Sequence, residues 1–424
     1  MSFTPIAIVG RACLLPGASS PEALWELVHS GRVVVDSAPQ GRWDIDRQRI
    51  ARDPGGDGAD GTWSDKGGYV RDFDVAAAGL SELAPLDEVA LWSLHVARQA
   101  LDDARAKGGA IDLARTGAIF GNLSFPTAGM ARYAAESWFG PERKDEAPFN
   151  RFNSSGPAHL VASQLGLGGE SYCLDAACAS ALYAIKLACD QLHAGHADFM
   201  LAGAVNKTDD LFIHVGFCAL QAMSRSGQSR PFHKDADGLV PAEGAAFVGL
   251  MRLDDALRQG RQIHGVIRGV GLSNDGRGRG LLSPMAEGQA RAMRSAYEMA
   301  GISPAQISLL ECHATGTSVG DAIEIESSQS VFGATPRKDK LPLGSLKSNM
   351  GHLITAAGAA GLIKVLEAMK QGQRPPTAGF AGQESRTHEH PALGNSNFRL
   401  LHAAEAWPKP ESHPRAAGVS AFGF

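Results

Sequence analysis

The sequence holds only six cysteines, Cys13, Cys173, Cys178, Cys189, Cys218 and Cys312, and no CxxC pair. In a chain of 424 residues that scarcity argues against a disulfide framework and for a reducing, cytoplasmic compartment. A zinc site from Cys173, Cys178, His193 and His196 can be drawn, but its first spacing is too long for a zinc knuckle. Charge of one sign is also lacking: 40 Lys plus Arg face 45 Asp plus Glu, a net charge of -5. That balance excludes a bulk nucleic-acid binder and a polybasic membrane anchor. No run approaches the roughly 18 uninterrupted apolar residues of a membrane span. No basic segment precedes the apolar stretch of Met1–Gly10, which reads as a first strand rather than a signal peptide. There is no short-period repeat, and no biased segment long enough to be an interdomain linker. Length alone allows two to four domains. Without a linker the chain reads as one unit, 1–424, with a coarse echo between halves of about 1–255 and 256–424.

What is present is a globular mix, 44% hydrophobic and 20% charged, with 50 glycines that suit many strand-to-helix turns. Strands are predicted at Pro5–Gly10, Thr116–Gly121, Phe199–Val205, Ala245–Leu253, Gly265–Leu272, Ile307–Glu311 and Leu341–Leu346. Several are apolar on both faces, as in a sheet covered on both sides. Helical periodicity marks Pro21–His29, Pro85–Ala106, Cys178–Ala194, Glu287–Ala300, Asp321–Val331 and Thr355–Lys370. The alternation predicts an α/β layered fold. Asp53–Gly68, Arg374–Pro391 and the charge run Pro141–Glu146 read as loops.

Three segments carry chemistry. In Ser171-Tyr-Cys-Leu-Asp-Ala-Ala-Cys178-Ala-Ser, an apolar strand runs into small residues and then into a helix. Cys178 then sits at a helix N-terminus, where the dipole and free N–H groups favour a thiolate. It reads either as an activated nucleophile or as a buried structural cysteine. In Glu311-Cys-His313-Ala-Thr315-Gly-Thr317, a strand delivers a histidine into a hydroxyl-bearing turn, before a helix that starts near Asp321 and carries Glu324. The plainer reading is a helix cap with an incidental histidine. Lys347-Ser-Asn-Met-Gly-His352 places an ammonium and an imidazole in a turn before an Ala/Gly-rich helix. Together they supply a thiol, two imidazoles and an ammonium near a carboxylate. That set suits acyl transfer to Cys178 followed by enolate stabilisation by neutral imidazoles.

In these motifs Cys178, His313 and His352 resemble the Cys-His-His set of β-ketoacyl synthases, the condensing enzymes of fatty-acid and polyketide synthesis. The resemblance spans essentially the whole chain. It includes Ile6-Ala-Ile-Val-Gly10, Arg42-Trp43-Asp44, Gly67-Gly68-Tyr69 and Phe73-Asp74. It continues through Arg230-Pro-Phe232, Asp237-Gly238, Glu243-Gly244 and the closing Gly418-Val-Ser-Ala-Phe-Gly-Phe424. Arg42-Trp43-Asp44 and the motifs near it look like ketosynthases of large type I synthases. Other segments look most like the makers of polyunsaturated fatty acids or long-chain glycolipids. Ala314 stands where the family usually has glycine, and so does Ala242.

The resemblance implies a thiolase-like fold of two similar halves, each with a mixed sheet, layered α-β-α-β-α. It implies a homodimer that works on acyl groups carried by the phosphopantetheine of an acyl carrier protein, beside neighbouring synthase domains. No metal and no bound cofactor are implied. By family pattern, the N–H groups of Cys178 and Phe424 form the oxyanion hole, and His313 and His352 stabilise the enolate. Lys347 pairs with Glu324, with Asp321 in the same network. Thr315 and Thr317 meet the pantetheine amides, and Phe424 and Phe232 gate the pocket. A thiolase would share the fold but needs a second reactive cysteine near the C-terminus, and the last one here is Cys312. A non-catalytic chain-length partner would lack Cys178. A papain-like hydrolase would leave Thr315, Lys347 and one histidine unexplained.

Overall fold

The computed structural model describes residues 3–43, 45–57, 60–139, 147–278, 280, 283–335, 337–380 and 385–423. Asp44, the charge run Pro141–Glu146 and Phe424 lie outside them.

A six-stranded sheet is built from β1 (Ile6–Leu14), β2 (Thr116–Asn122), β3 (Ser171–Leu174), β4 (Phe199–Asn206), β5 (Gly244–Arg252) and β6 (Gly265–Ile267). Its order is β3-β2-β4-β5-β1-β6. β2 runs parallel to β3 and β4, whereas β5 is antiparallel to β4 and β1. β1, β2 and β4 are buried along their whole length, which is why they read as unbroken apolar runs. Only three residues of the predicted Gly265–Leu272 strand are regular, and they pair with β1 of the first sheet.

A four-stranded sheet holds β7 (Leu310–Glu311), β8 (Leu341–Gly344), β9 (Phe398–Leu400) and β10 (Gly418–Val419), in the order β9-β8-β7-β10. Its pairings are all parallel, so among the described residues only the first sheet is mixed.

The helices that cover the sheets or carry the site are α1 (Pro21–His29), α2 (Glu88–Arg105), α3 (Gly156–Leu165), α4 (Ser180–His193), α5 (Asp210–Ala219), α6 (Ala286–Ala300), α7 (Ser318–Phe332) and α8 (Ala357–Gln371), beside another at Ala128–Phe139 and shorter ones. α2 begins where Asp87 accepts from Val89 N–H at 3.1 Å, satisfying an end group the helix itself leaves open. α2 and α3 cover one face of the first sheet through Val96, Leu101, Val161, Phe120 and Phe247. α4 and α8 cover the other, where Ala184, Ile185, Ala360 and Ile363 meet Ile8, Met200 and Val248. α8 also turns Val365 and Ala368 to Leu309, next to the second sheet. α6 and α7 close the far side with Met293, Ile325 and Phe332 against Leu343 and Phe398. The layers are therefore α-β-α-β-α. Small residues on α8 let it lie between two sheets, and each large aliphatic side chain buried there contributes roughly 1.5–3 kcal/mol. No described helix is long and apolar enough to cross a membrane.

Candidate active site

β3 ends at Leu174, and the chain turns sharply before α4. Ala177 takes φ 49°, a left-handed conformation that is costly for a residue with a side chain. Four hydrogen bonds hold the turn in this shape. Asp175 accepts from Ala177 N–H at 2.9 Å and from Ser124 N–H at 2.9 Å. Ser180 Oγ accepts from Ala176 N–H at 2.8 Å and donates to Ala177 O at 2.6 Å. The turn presents Cys178 at the start of α4, whose first N–H groups have no side-chain cap. Gly423 packs against this turn: a Cβ there would lie 2.8 Å from Ala176 O and 3.3 Å from Cys178 N.

The second half supplies the facing groups. His352 Nε2 lies 3.1 Å from Cys178 Sγ. Its Nδ1 accepts from Ile354 N–H at 3.2 Å, so in the neutral ring Nε2 carries the proton and points it at the sulfur. The backbone of His352 is pinned to the segment after Gly238, through N–H to Val240 O at 2.7 Å and O to Ala242 N–H at 2.8 Å. His313 leaves β7 into the cavity, with its ring centroid 5.3 Å from that of His352. The ligand-type atoms of Cys178, His313 and His352 all lie within 4.8 Å of one another.

A cavity of about 2100 Å³ opens onto Cys178, His313, Thr315, Thr317 and Phe422. The thiol packs in an apolar cluster with Leu123, Ile213, Phe217 and Ile354. The hydroxyls of Thr315 and Thr317 are 3.1 Å apart. His352 is only 1% exposed, touches the sulfur and does not line the cavity, whereas His313 does, so the two histidines are not equivalent.

Two carboxylates on α7 shape the His313 turn. Glu324 accepts from His313 N–H at 2.8 Å and Ala314 N–H at 2.7 Å. Asp321 accepts from Phe232 N–H at 2.7 Å and Thr315 N–H at 3.1 Å. With both oxygens taken by backbone, Glu324 makes no ion pair with Lys347, contrary to the sequence expectation. The ammonium acts on it only through its field. Phe232 is also corrected. Its ring is fully buried in the C-terminal core with Ile325 and Phe380 and does not line the cavity. What matters there is its backbone, at φ 59° between Asp321 and His390. Phe424 lies outside the described residues. Phe422, to which the sequence motifs assign no role, has its ring 5.7 Å from that of His313.

Burial pushes the Cys178 thiol up to about 12, opposed by Lys347 and reinforced by Asp175, so the resting group is a thiol. Burial and then Lys347 hold His313 and His352 well below the usual range, so both rings are neutral. Burial lifts Asp321 and Glu324 to about 7, against the pull of the N–H donors. One thiol and two imidazoles are a soft-metal donor set. A protonated Nε2 on His352, a backbone donor at its Nδ1 and the Lys347 charge beside it do not fit a resident cation. The imagined Cys173, Cys178, His193, His196 set is not brought together: His193 Nε2 binds Thr4 O and His196 Nδ1 meets Gln191.

The family model described as β-ketoacyl synthase, N-terminal domain, matches residues 3–256, and that of the C-terminal domain matches residues 264–381. One polyunsaturated fatty acid synthase polypeptide of a Thraustochytrium species is 34% identical over 99% of this chain, which covers 20% of that protein. A phenolphthiocerol/phthiocerol polyketide synthase polypeptide of Mycobacterium tuberculosis is 35% identical over 99% of the chain and 23% of its own length. The chain thus spans about a fifth of the curated relatives it matches. Among solved structures, the PfaC keto synthase–chain length factor superposes with TM-score 0.87 at 36% identity, covering 99% of this chain and 47% of that one. An oxazolomycin ketosynthase domain from Streptomyces albus superposes at 0.86 with 29% identity, covering 99% of this chain and 72% of that domain. With both family domains matched in order and a thiol facing two neutral imidazoles, the chain belongs to the β-ketoacyl synthases, acyltransferases that extend an enzyme-bound acyl group by decarboxylative Claisen condensation.

Proposed function

We propose that this ketosynthase takes an acyl group from the phosphopantetheine of an acyl carrier protein onto Cys178 and condenses it with malonyl thioester. The observation that carries the reading is the 3.1 Å approach of His352 Nε2 to Cys178 Sγ at an uncapped helix start. Cys178 sulfur attacks the thioester carbonyl, the carbon–sulfur bond to pantetheine breaks, and the thiol proton leaves with the pantetheine thiol. The oxyanion is met by the Cys178 N–H; the second donor that the sequence motif assigns to Phe424 lies outside the described residues. Malonyl thioester then loses carbon dioxide. His313 from the cavity wall and His352 from beside the sulfur, their ring nitrogens within 4.8 Å of one another, donate to the enolate oxygen. The enolate carbon attacks the acyl carbon, the bond to sulfur breaks, and Cys178 departs as thiolate and takes a proton from water. Thr315 and Thr317 offer hydroxyls to the pantetheine amides, and Lys347 supplies the positive field. No step of this sequence calls for a bound cofactor.

The proposal extends to pathway and setting. The relatives support a multidomain synthase of polyketides or polyunsaturated fatty acids, with carrier domains as neighbours. Six unpaired cysteines support the cytoplasm. A homodimer is proposed on the outer edge of β3, which has one neighbour in the sheet and is partly exposed along its length.

The test is mass spectrometry of the chain after incubation with acyl-carrier thioesters, alongside carbon dioxide release from malonyl thioester. A single acyl adduct on Cys178 and β-ketoacyl product are expected. A folded chain that never acylates would favour the chain-length partner instead, the role named beside the keto synthase in the PfaC match.

A further inference from the structure

Glu311 is the residue where the separate parts of the site meet. It lies two positions before His313 on β7 and is 4% exposed. Its Oε1 accepts from Leu346 N–H at 2.6 Å, the residue immediately before Lys347. Its Oε2 pairs at 2.6 Å with Lys364 on α8, the helix that follows His352, and both side chains are 5% exposed. Its backbone oxygen accepts from Ser420 N–H at 2.9 Å, in the segment that reaches Gly423 beside Cys178. Gly361 on α8 makes room: a Cβ there would lie 3.1 Å from Glu311 Cγ. A buried carboxylate with a buried ammonium and a backbone donor has one geometry in which nothing is unpaired. That geometry fixes β7, the Lys347 turn and α8 relative to one another.

We propose that Glu311, clamped by Lys364, is the positioning residue that sets His313 and Lys347 opposite Cys178. The inference rests on the condensing function above. Lys347 is faced by Glu311 and Cys312 from β7 and its extension, by Glu324 and Asp321 from α7, by Cys178 from the turn before α4, and by His313 and His352. Burial lowers its pKa, and among the charges opposing that loss Glu311 comes first, ahead of Glu324. Removing the Glu311 charge therefore makes the Lys347 ammonium easier to deprotonate.

The experiment uses the full chain with Glu311→Gln, Lys364→Met and the double variant, whose buried charges are both gone. Acyl loading of Cys178, malonyl decarboxylation at several pH values and the thermal midpoint are read on each. Each single variant is expected to lose about 10²-fold in decarboxylation, the scale of a misplaced oxyanion donor, with loading reduced less than about tenfold. The double variant should lose far less than the product of the two, because the residues act as one unit. The alkaline limb of the decarboxylation profile should move to lower pH in Glu311→Gln. Loading and decarboxylation falling in equal proportion, with an unmoved pH limb, would overturn the proposal and leave a purely structural ion pair. A wild-type chain that neither loads nor decarboxylates would instead remove the function itself.

Discussion

Each half of the molecule ends a strand in a turn and starts a helix, at Cys178 in the first half and at His313 in the second. The two turns use their carboxylates in opposite ways. In the first, Asp175 precedes the cysteine and fixes the turn from outside the helix, leaving the N–H groups of α4 without a side-chain cap. In the second, Asp321 and Glu324 sit within α7 and reach back to take the N–H groups of the turn. α7 also starts without a side-chain cap, so the contrast lies in the turns: the N–H groups around His313 are taken by carboxylates and hold a neutral ring in place, while the helix start beside Cys178 can meet an anion made during reaction. A nucleophile needs the first arrangement and a hydrogen-bond donor needs the second.

Removing the nucleophile is the strongest way to break this division. Cys178→Ala should abolish acyl loading and condensation, read by mass spectrometry and product formation. Cys178→Gln should keep malonyl decarboxylation at or above the wild-type rate, because the second half retains its donors. Condensation surviving in Cys178→Ala would end the assignment.

The histidines sharpen it. His313→Ala should cut decarboxylation by about 10²–10³-fold while loading falls less than about tenfold. His352→Ala should lower both, since Nε2 touches the sulfur directly. Equal effects of the two substitutions on loading would show that their different placement has no chemical consequence.

The α7 carboxylates make a smaller, pH-dependent difference. Burial raises the folded-state pKa of Glu324 to about 7, above its unfolded value. Its protonated form is favoured by folding, so this contribution is fully present below about pH 4.5 and is lost as pH rises through about 7. Thermal midpoints from pH 4 to 8 should therefore fall less steeply in Glu324→Gln than in wild type. Identical slopes would mean Glu324 ionises as freely folded as unfolded.

The smallest effects concern backbone. Ala177→Gly should raise stability by up to about 1 kcal/mol, because glycine tolerates φ 49°. Gly316→Ala in the second turn, at φ 81° and with a Cβ only 3.1 Å from Arg230 N, should lower it by about 1–3 kcal/mol. Denaturant midpoints on the two variants check both signs.

Much of this was legible in sequence. The ends of α1 match the periodicity from Pro21 to His29, because the Ser20 cap and the helical spacing of Leu24, Leu27 and Val28 are local signals. α5 was not anticipated, since Asp210–Ala219 is apolar almost throughout and shows no helical period. Phe232 was read as a gate from the motif around it, yet the fold buries its ring and uses its N–H. The ion pair of Glu311 and Lys364 spans 53 positions, and no local pattern announces it.

The sequence by itself determined which groups react. A cysteine at a helix start, two histidines in hydroxyl- and glycine-bearing turns and a nearby lysine are properties of short segments, and short-range sterics and capping fix their local shape. Only the tertiary structure decided how those groups divide the work. It put His352 against the sulfur and His313 in the cavity wall, gave Glu324 to the backbone instead of Lys347, and made Glu311 the meeting point of β7, the Lys347 turn and α8. Such choices depend on which carboxylate reaches which donor once water is excluded. That is a property of the packed layers, not of any one segment.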